Sequence, residues 1–211
     1  MEDTPVTVVA VETVGPDAIA VVLETPDGFD AAPGQFIKFT TEIDGETHSR
    51  FYTISSPTVS ETFELTVGID PDGAVSPALE TLDAGETVTL SGPYGNAYYE
   101  GESRVLVLAG GPGVGPAVGI AERTIADGGD VAVVYQDDEP IHQERLAELD
   151  SRGAAVDILT REQSLAEAVS AVDLADRQVF VYGFADFLDA SMSAIAAAGG
   201  SPDEAKVENF G

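Results

Sequence analysis

Four consecutive residues, Arg50-Phe51-Tyr52-Thr53, place a cation, a flat ring and a hydroxyl at the end of a β-type run. Alternate residues of a strand share a face, so Arg50 and Tyr52 go together. Thr53 points the other way or turns in at the strand end. The planar Arg50 guanidinium suits a phosphate. Tyr52 can lie against a ring, and Thr53 can hydrogen-bond the edge of a flat heterocycle. Taken alone, the same four residues also describe an ordinary strand with an exposed arginine. Further on, Gly110-Gly111-Pro112-Gly113-Val114-Gly115-Pro116 follows the apolar run 105–109. Glycines at 110, 111, 113 and 115 let a backbone approach a pyrophosphate closely. The turn has neither the GxGxxG spacing nor a Walker lysine, and many α/β proteins need tight turns of this kind. Between the two motifs, Gly73-Ala74-Val75-Ser76-Pro77-Ala78 puts Ser76 where a helix N-cap stands, with backbone amides from Val75 to Ala78 able to face an anion. A plain capped helix reads the same.

These groups need a scaffold. Runs rich in Val, Ile, Thr and Phe occupy 6–14, 18–23, 35–41, 51–54, 63–69 and 87–90, with Gly-Pro, Pro-Asp-Gly, Ala-Pro-Gly and Asp-Gly turns between them. Six short strands at this spacing predict a small closed antiparallel β-barrel of Greek-key type, interrupted by a helix over 76–82. From residue 104 the period changes. Strands at 104–109, 131–135, 155–159, 179–182 and 206–210 alternate with helices at 115–126, 141–150, 164–172 and 186–198. That alternation predicts a doubly wound parallel α/β sheet. The polar joint at 100–103 divides the chain into domains 1–100 and 101–211.

Composition narrows the chemistry. The 211 residues contain no cysteine, which removes disulfides, thiolate metal sites and a cysteine nucleophile. His48 and His142 are far apart and lack ligand partners, so no metal site is expected. With 38 acidic residues against nine basic ones the net charge is −29, and no nucleic-acid partner is expected. The acid is spread along the whole chain while apolar content stays ordinary, which argues against disorder. Such a surface suits molar salt, where screening falls to about 3 Å; the composition resembles that of halophilic archaeal proteins. No signal peptide is visible behind Met1-Glu2-Asp3. The uncharged run 105–121 is broken by glycines and prolines, so no membrane span is expected. The reading is a soluble, cytoplasmic protein.

The motifs, in their order, resemble those of the ferredoxin–NAD(P)H reductase family of flavoproteins. The RxY[ST] pattern matches Arg50, Tyr52 and Thr53. GxxS matches Gly73 and Ser76, GPxG matches Gly92, Pro93 and Gly95, and GGxGxxP matches Gly110, Gly111, Gly113 and Pro116. The resemblance implies FAD, with Arg50 on its pyrophosphate, Tyr52 and Thr53 at the isoalloxazine as catalytic candidates, and Gly73, Val75 and Ser76 on its phosphates. It further implies that Gly110, Gly111, Gly113, Val114 and Pro116 hold NADPH or NADH. Family members often carry Cys-Gly near the last βα turn; Tyr182 and Gly183 stand there in this chain. Many end in an aromatic residue over the flavin, and Phe210 is the candidate. Coenzyme choice is divided between Asp137-Asp138, suited to a ribose diol, and Arg161, suited to a 2′-phosphate. The implied activity is hydride transfer between NAD(P)H and FAD, then electron delivery to a ferredoxin, a flavodoxin or a small acceptor. A flavin-bearing electron-transfer subunit of a larger complex is the alternative.

Overall fold

The computed structural model describes residues 1–211, in two layered sheets. The first sheet holds β1 (Thr4–Gly15), β2 (Ala18–Glu24), β3 (Phe36–Ile43), β4 (Glu46–Thr53), β5 (Thr62–Gly68) and β6 (Thr87–Tyr94), in the order β4-β3-β6-β1-β2-β5. Its pairings are antiparallel. The sheet curls until its edges meet at a single bridge, Ile54 to Leu65. The alternation of β5 explains its seat. Phe63, Leu65 and Val67 enter the barrel core with Ile37, Phe39 and Leu90, while Glu64 and Thr66 take the other face. The polar stretch 46–50, which carries no apolar alternation, is also strand, because it pairs along β3 through an Asp44-Gly45 turn with φ of 53° and 80°.

The second sheet is parallel throughout. β7 (Arg104–Gly110), β8 (Asp130–Gln136), β9 (Ala155–Leu159), β10 (Gln178–Gly183) and β11 (Lys206–Asn209) stand in the order β11-β10-β7-β8-β9. The continuous apolar run of β7 is buried on both faces. Val105, Val107 and Ala109 pack on α2 (Val114–Ala126) and α3 (Gln143–Ser151). Leu106 and Leu108 pack on the side of α4 (Leu165–Ser170) and α5 (Ala185–Ala197). The chain reverses direction across the sheet between β7 and β10. A sheet of this kind opens a crevice beyond the carboxyl ends of such a strand pair. The helix predicted over 76–82 is only one turn, α1 (Ser76–Leu79). No helix is long and apolar enough to cross a membrane.

The two halves meet where β5 packs against α2 and α3, and the contact is close because α2 carries glycines. A Cβ at Gly115 would lie 2.5 Å from Thr66 Oγ1, and one at Gly119 would lie 2.7 Å from the Ser55 carbonyl. Arg145 of α3 reaches across. It donates to Glu64 at 2.8 Å and to the Ser55 carbonyl at 2.8 Å, and takes both Glu122 oxygens at 2.7 and 2.8 Å. Burial works against its charge, but Glu122 and then Glu64 hold its pKa above the ordinary arginine value.

Candidate functional site

A cleft of about 950 Å³ lies at the switch point, walled by both halves of the chain. The register of the β3–β4 hairpin decides which residues face it. Phe36 pairs with Thr53 and Lys38 with Phe51, and these four form one wall. Arg50 and Tyr52 pair with Phe39 and Ile37, whose side chains enter the barrel core. Tyr52 packs edge-on against Phe39, with centroids 5.9 Å apart, and still borders the cleft. Burial pushes its hydroxyl up to about 12 against the pull of Arg50, so at neutral pH Tyr52 is a hydrogen-bond donor. Thr53 is buried at the cleft wall.

Arg50 stands outside that wall, exposed, and its guanidinium donates to the Ser49 carbonyl at 2.8 Å. Every other lysine and arginine of the chain has a carboxylate within 4.0 Å. Arg50 has none, although 38 acidic residues are present. An arginine left free in so acidic a chain is suited to an anion from outside the protein.

Much of the cleft wall is aromatic. Phe51 meets Phe36 edge-on at 5.7 Å, and Phe36 lies 5.9 Å from Tyr94. From the second half come Phe184 and Phe210, edge-on at 6.3 Å. Phe51 is 64% exposed and Phe184 52%, and with Tyr94 they leave exposed aromatic surface at the cleft of the kind a flat ligand would cover. Sequence reasoning passed over Phe36, Phe51, Tyr94 and Phe184. Their signal was aromatic residues at off-pattern positions, beside the inward Ile37 and Phe39. It also passed over Glu208, a half-buried carboxyl at the cleft whose pKa burial raises.

The glycine-rich turn is where expected, a single 3-10 turn from Gly111 to Gly113 that leads into α2. Its glycines also serve packing within the chain. A Cβ at Gly113 would lie 2.2 Å from the Tyr182 carbonyl oxygen, and one at Gly110 would strike the Phe187 ring at 2.6 Å. Gly111, at φ 56°, is not crowded: a Cβ there would meet only Asp137 Oδ2, at 3.8 Å. Pro112 and Pro116 border the cleft; Val114 is buried in the core.

Three further expectations change. Ser76 is not the N-cap. Val75 holds that position because its side chain is drawn into the core, and Ser76 Oγ instead accepts the Asp70 amide at 2.9 Å. Gly73 sits in the same loop, its amide donating to the Asp70 carbonyl. Tyr182 does not border the cleft: its side chain is fully buried beside Phe180 and its hydroxyl donates to the Ala97 carbonyl. Gly183 beneath it is buried, and its carbonyl accepts the Phe210 amide at 3.0 Å, which seats Phe210 at the cleft. The competing coenzyme residues form one cluster. Arg161 lies 4.0 Å from Asp137 and 3.8 Å from Asp138, and its backbone amide donates to Asp138 at 2.9 Å.

Residues 5–99 match the family described as oxidoreductase FAD-binding domain. The chain is 44% identical over 97 residues to the glycine betaine monooxygenase reductase subunit of Chromohalobacter salexigens, covering 44% of this chain and 26% of that protein. It is 29% identical over 217 residues to the ferredoxin reductase component of 3-ketosteroid-9-alpha-monooxygenase from Mycolicibacterium smegmatis, covering 92% of this chain and 62% of that protein. The chain thus spans only part of the length of these relatives. Among solved structures, the flavohem-like FAD/NAD binding domain of nitric oxide dioxygenase from Vibrio cholerae superposes with a TM-score of 0.86 at 23% identity, each chain covered completely. A ferredoxin NADP+ reductase from Neisseria gonorrhoeae, solved with FAD and NADP, gives 0.79 at 15% identity, again over both whole chains. These two likenesses establish the fold. Residues 5–99 are thus similar to FAD-binding oxidoreductase domains, and the whole chain shares the fold of these solved structures.

Proposed function

We propose that the chain is an FAD-dependent reductase in which residues 1–100 hold FAD, residues 101–211 hold NADPH or NADH, and the two meet in the cleft. The observation that carries this reading is Arg50, the one cationic side chain without a carboxylate partner, placed next to an aromatic cleft within an FAD-binding domain. The residues fit the cofactor. Arg50 is free for the diphosphate, the amides around Gly73, Val75 and Ser76 lie close by in sequence to the cleft residues Ile69 and Asp70, and Phe210 offers a ring to cover the isoalloxazine. Bound FAD would accept a hydride from the reduced nicotinamide and release its electrons to an acceptor. Tyr52 and Thr53 present hydroxyls to the ring system and fix its orientation. Phe184 and Phe210 keep water from the reacting face, and Gly111 leaves backbone open to the dinucleotide.

Arg50→Ala tests this directly. Loss of a charge-assisted bond to phosphate is expected to weaken FAD binding about ten- to hundredfold, measured by flavin fluorescence on titration into the apoprotein. An unchanged Kd would remove Arg50 from the diphosphate.

The Arg161 cluster sets coenzyme choice. Asp137 and Asp138 neutralise the guanidinium that a 2′-phosphate needs, and either carboxylate suits a ribose diol. Arg161→Ala is expected to raise the KM for NADPH severalfold and leave that for NADH nearly unchanged, while Asp138→Asn favours NADPH. Equal changes for both coenzymes would show that the cluster does not discriminate.

The names of the relatives favour one placement of this activity: both curated proteins are reductase parts of monooxygenases. The chain is then the electron-delivering part of a larger system, with an oxygenase, a ferredoxin, a flavodoxin or a small oxidant as acceptor. The acidic composition further supports a cytoplasm rich in salt, as in halophilic archaea. Thermal melts across a salt series are expected to show Tm rising steeply from millimolar to molar KCl as self-repulsion is screened. A flat Tm would remove that assignment and leave the flavin reading intact.

A further inference from the structure

His142 is the one buried histidine, and nothing in the proposed electron path uses it. It begins α3 in the left-handed region, at φ 54° and ψ 29°, a conformation costly for a residue with a Cβ. Its backbone amide donates to the Val14 carbonyl at 2.8 Å, which ties the start of α3 to the barrel. Its Nε2 lies 2.8 Å from Thr66 Oγ1, 76 residues away and in the other half of the chain. Thr66 borders the cleft from β5. On its other side Gly115 presses so closely that a Cβ there would stand 2.5 Å from the hydroxyl. The Thr66 side chain is therefore held between α2 and the imidazole, and its hydroxyl has no other protein partner.

We propose that His142 is a positioning residue that fixes the Thr66 hydroxyl as a polar contact for the flat heterocycle bound in the cleft. The proposal rests on the reading of the cleft as the FAD site. A free threonine hydroxyl rotates among three staggered positions. One bonded to an imidazole keeps its remaining hydrogen-bonding valence in one direction. Burial, and then the charge of Arg145, lowers the His142 pKa to about 3, so the ring stays neutral and its bond to Thr66 persists across the working pH range. Arg145 on the same helix, whose charge acts on the ring, is committed to Glu64 of β5 and Glu122 of α2. They offer His142 no competing partner. A preorganised contact of this kind binds better than a rotating one because its orientation is set before the ligand arrives.

The test is a double-mutant cycle on FAD affinity and on the visible absorption band of the bound flavin. Thr66→Val is expected to weaken FAD about tenfold and to shift the band, and Thr66→Ser to restore both. His142→Gln, which can still hydrogen-bond to Thr66, is expected to stay within about twofold of the parent, and His142→Phe to weaken FAD about fivefold. Combined with Thr66→Val, His142→Phe is expected to add nothing to the loss of affinity, because the hydroxyl it orients is gone. Equal losses from His142→Phe with and without the hydroxyl would overturn the proposal, since a purely structural histidine acts regardless of Thr66. Should His142→Phe not fold, Thr66→Val and Thr66→Ser decide: affinity and band unchanged in both would overturn the proposal. A parent protein that binds no FAD would sink the cofactor reading itself, an outcome the cycle separates from failure of the His142 role.

Discussion

Gly113→Val is expected to abolish the folded protein and not merely to block a nucleotide. The new Cβ would stand 2.2 Å from the Tyr182 carbonyl oxygen and 3.1 Å from the Tyr182 Cβ. The first contact is with strand backbone, at the end of β10, so no side-chain rotation relieves it. Separating α2 from β10 would open the core around Val107, Val114, Ala117 and Phe180. Overpacking alone costs about 1–3 kcal/mol, and displaced backbone takes the expected loss above about 4 kcal/mol, among the largest single-residue effects. The measurement is thermal unfolding with FAD retention followed in parallel. Sequence alone suggests that a side chain at 113 would exclude the dinucleotide and spare the flavin. The structure predicts that both are lost together. Gly111→Ala is the control, because only the positive φ opposes it, at about 1 kcal/mol. A Gly113→Val protein that melts within a few degrees of the parent would refute the packing account.

Arg145→Ala is the second large effect. The guanidinium serves two carboxylates and a carbonyl across the junction, and all three charged side chains are less than a quarter exposed. Removing it leaves Glu64 and Glu122 partly buried and facing the space it filled. Truncating one partner of such a network costs about 3 kcal/mol, most of it from the carboxylates left unpaired. Urea unfolding of parent and variant at pH 7 measures it. A deficit below about 1 kcal/mol, the scale of an exposed ion pair, would show that the junction does not depend on this network.

Some of this was legible in the sequence for physical reasons. The run Val105–Ala109 must be buried on both faces, so it announces a parallel strand. The Gly-Pro turn after it has one natural place, between that strand and a helix. Alternation in β3 and β5 separates core from surface side chains. Other features were illegible because they depend on partners far along the chain. Nothing near Thr66 points to His142, and nothing near Arg145 points to Ser55. The strand at 46–50 was hidden because both its faces are largely exposed, so only pairing defines it. Tyr182 shows a different limit. Its place in a motif gave its height along β10 but not its direction, and it shares the face of Phe180, which belongs to the core. The aromatic wall of Phe36, Phe51 and Tyr94 ran against the pattern because those rings line the cleft and not the core.

The glycines of α2 also bear on how such a chain can be divided or recombined. Gly115 and Gly119 let helix backbone rest directly on Thr66 and Ser55. Neither half therefore presents a neutral surface when alone. Grafting residues 1–100 onto the nucleotide half of a relative would succeed only if the donor helix kept small residues at both positions and a cation where Arg145 stands. For the same reason the halves are sterically coupled: a substitution at Thr66 or Ser55 that adds bulk demands a change on α2.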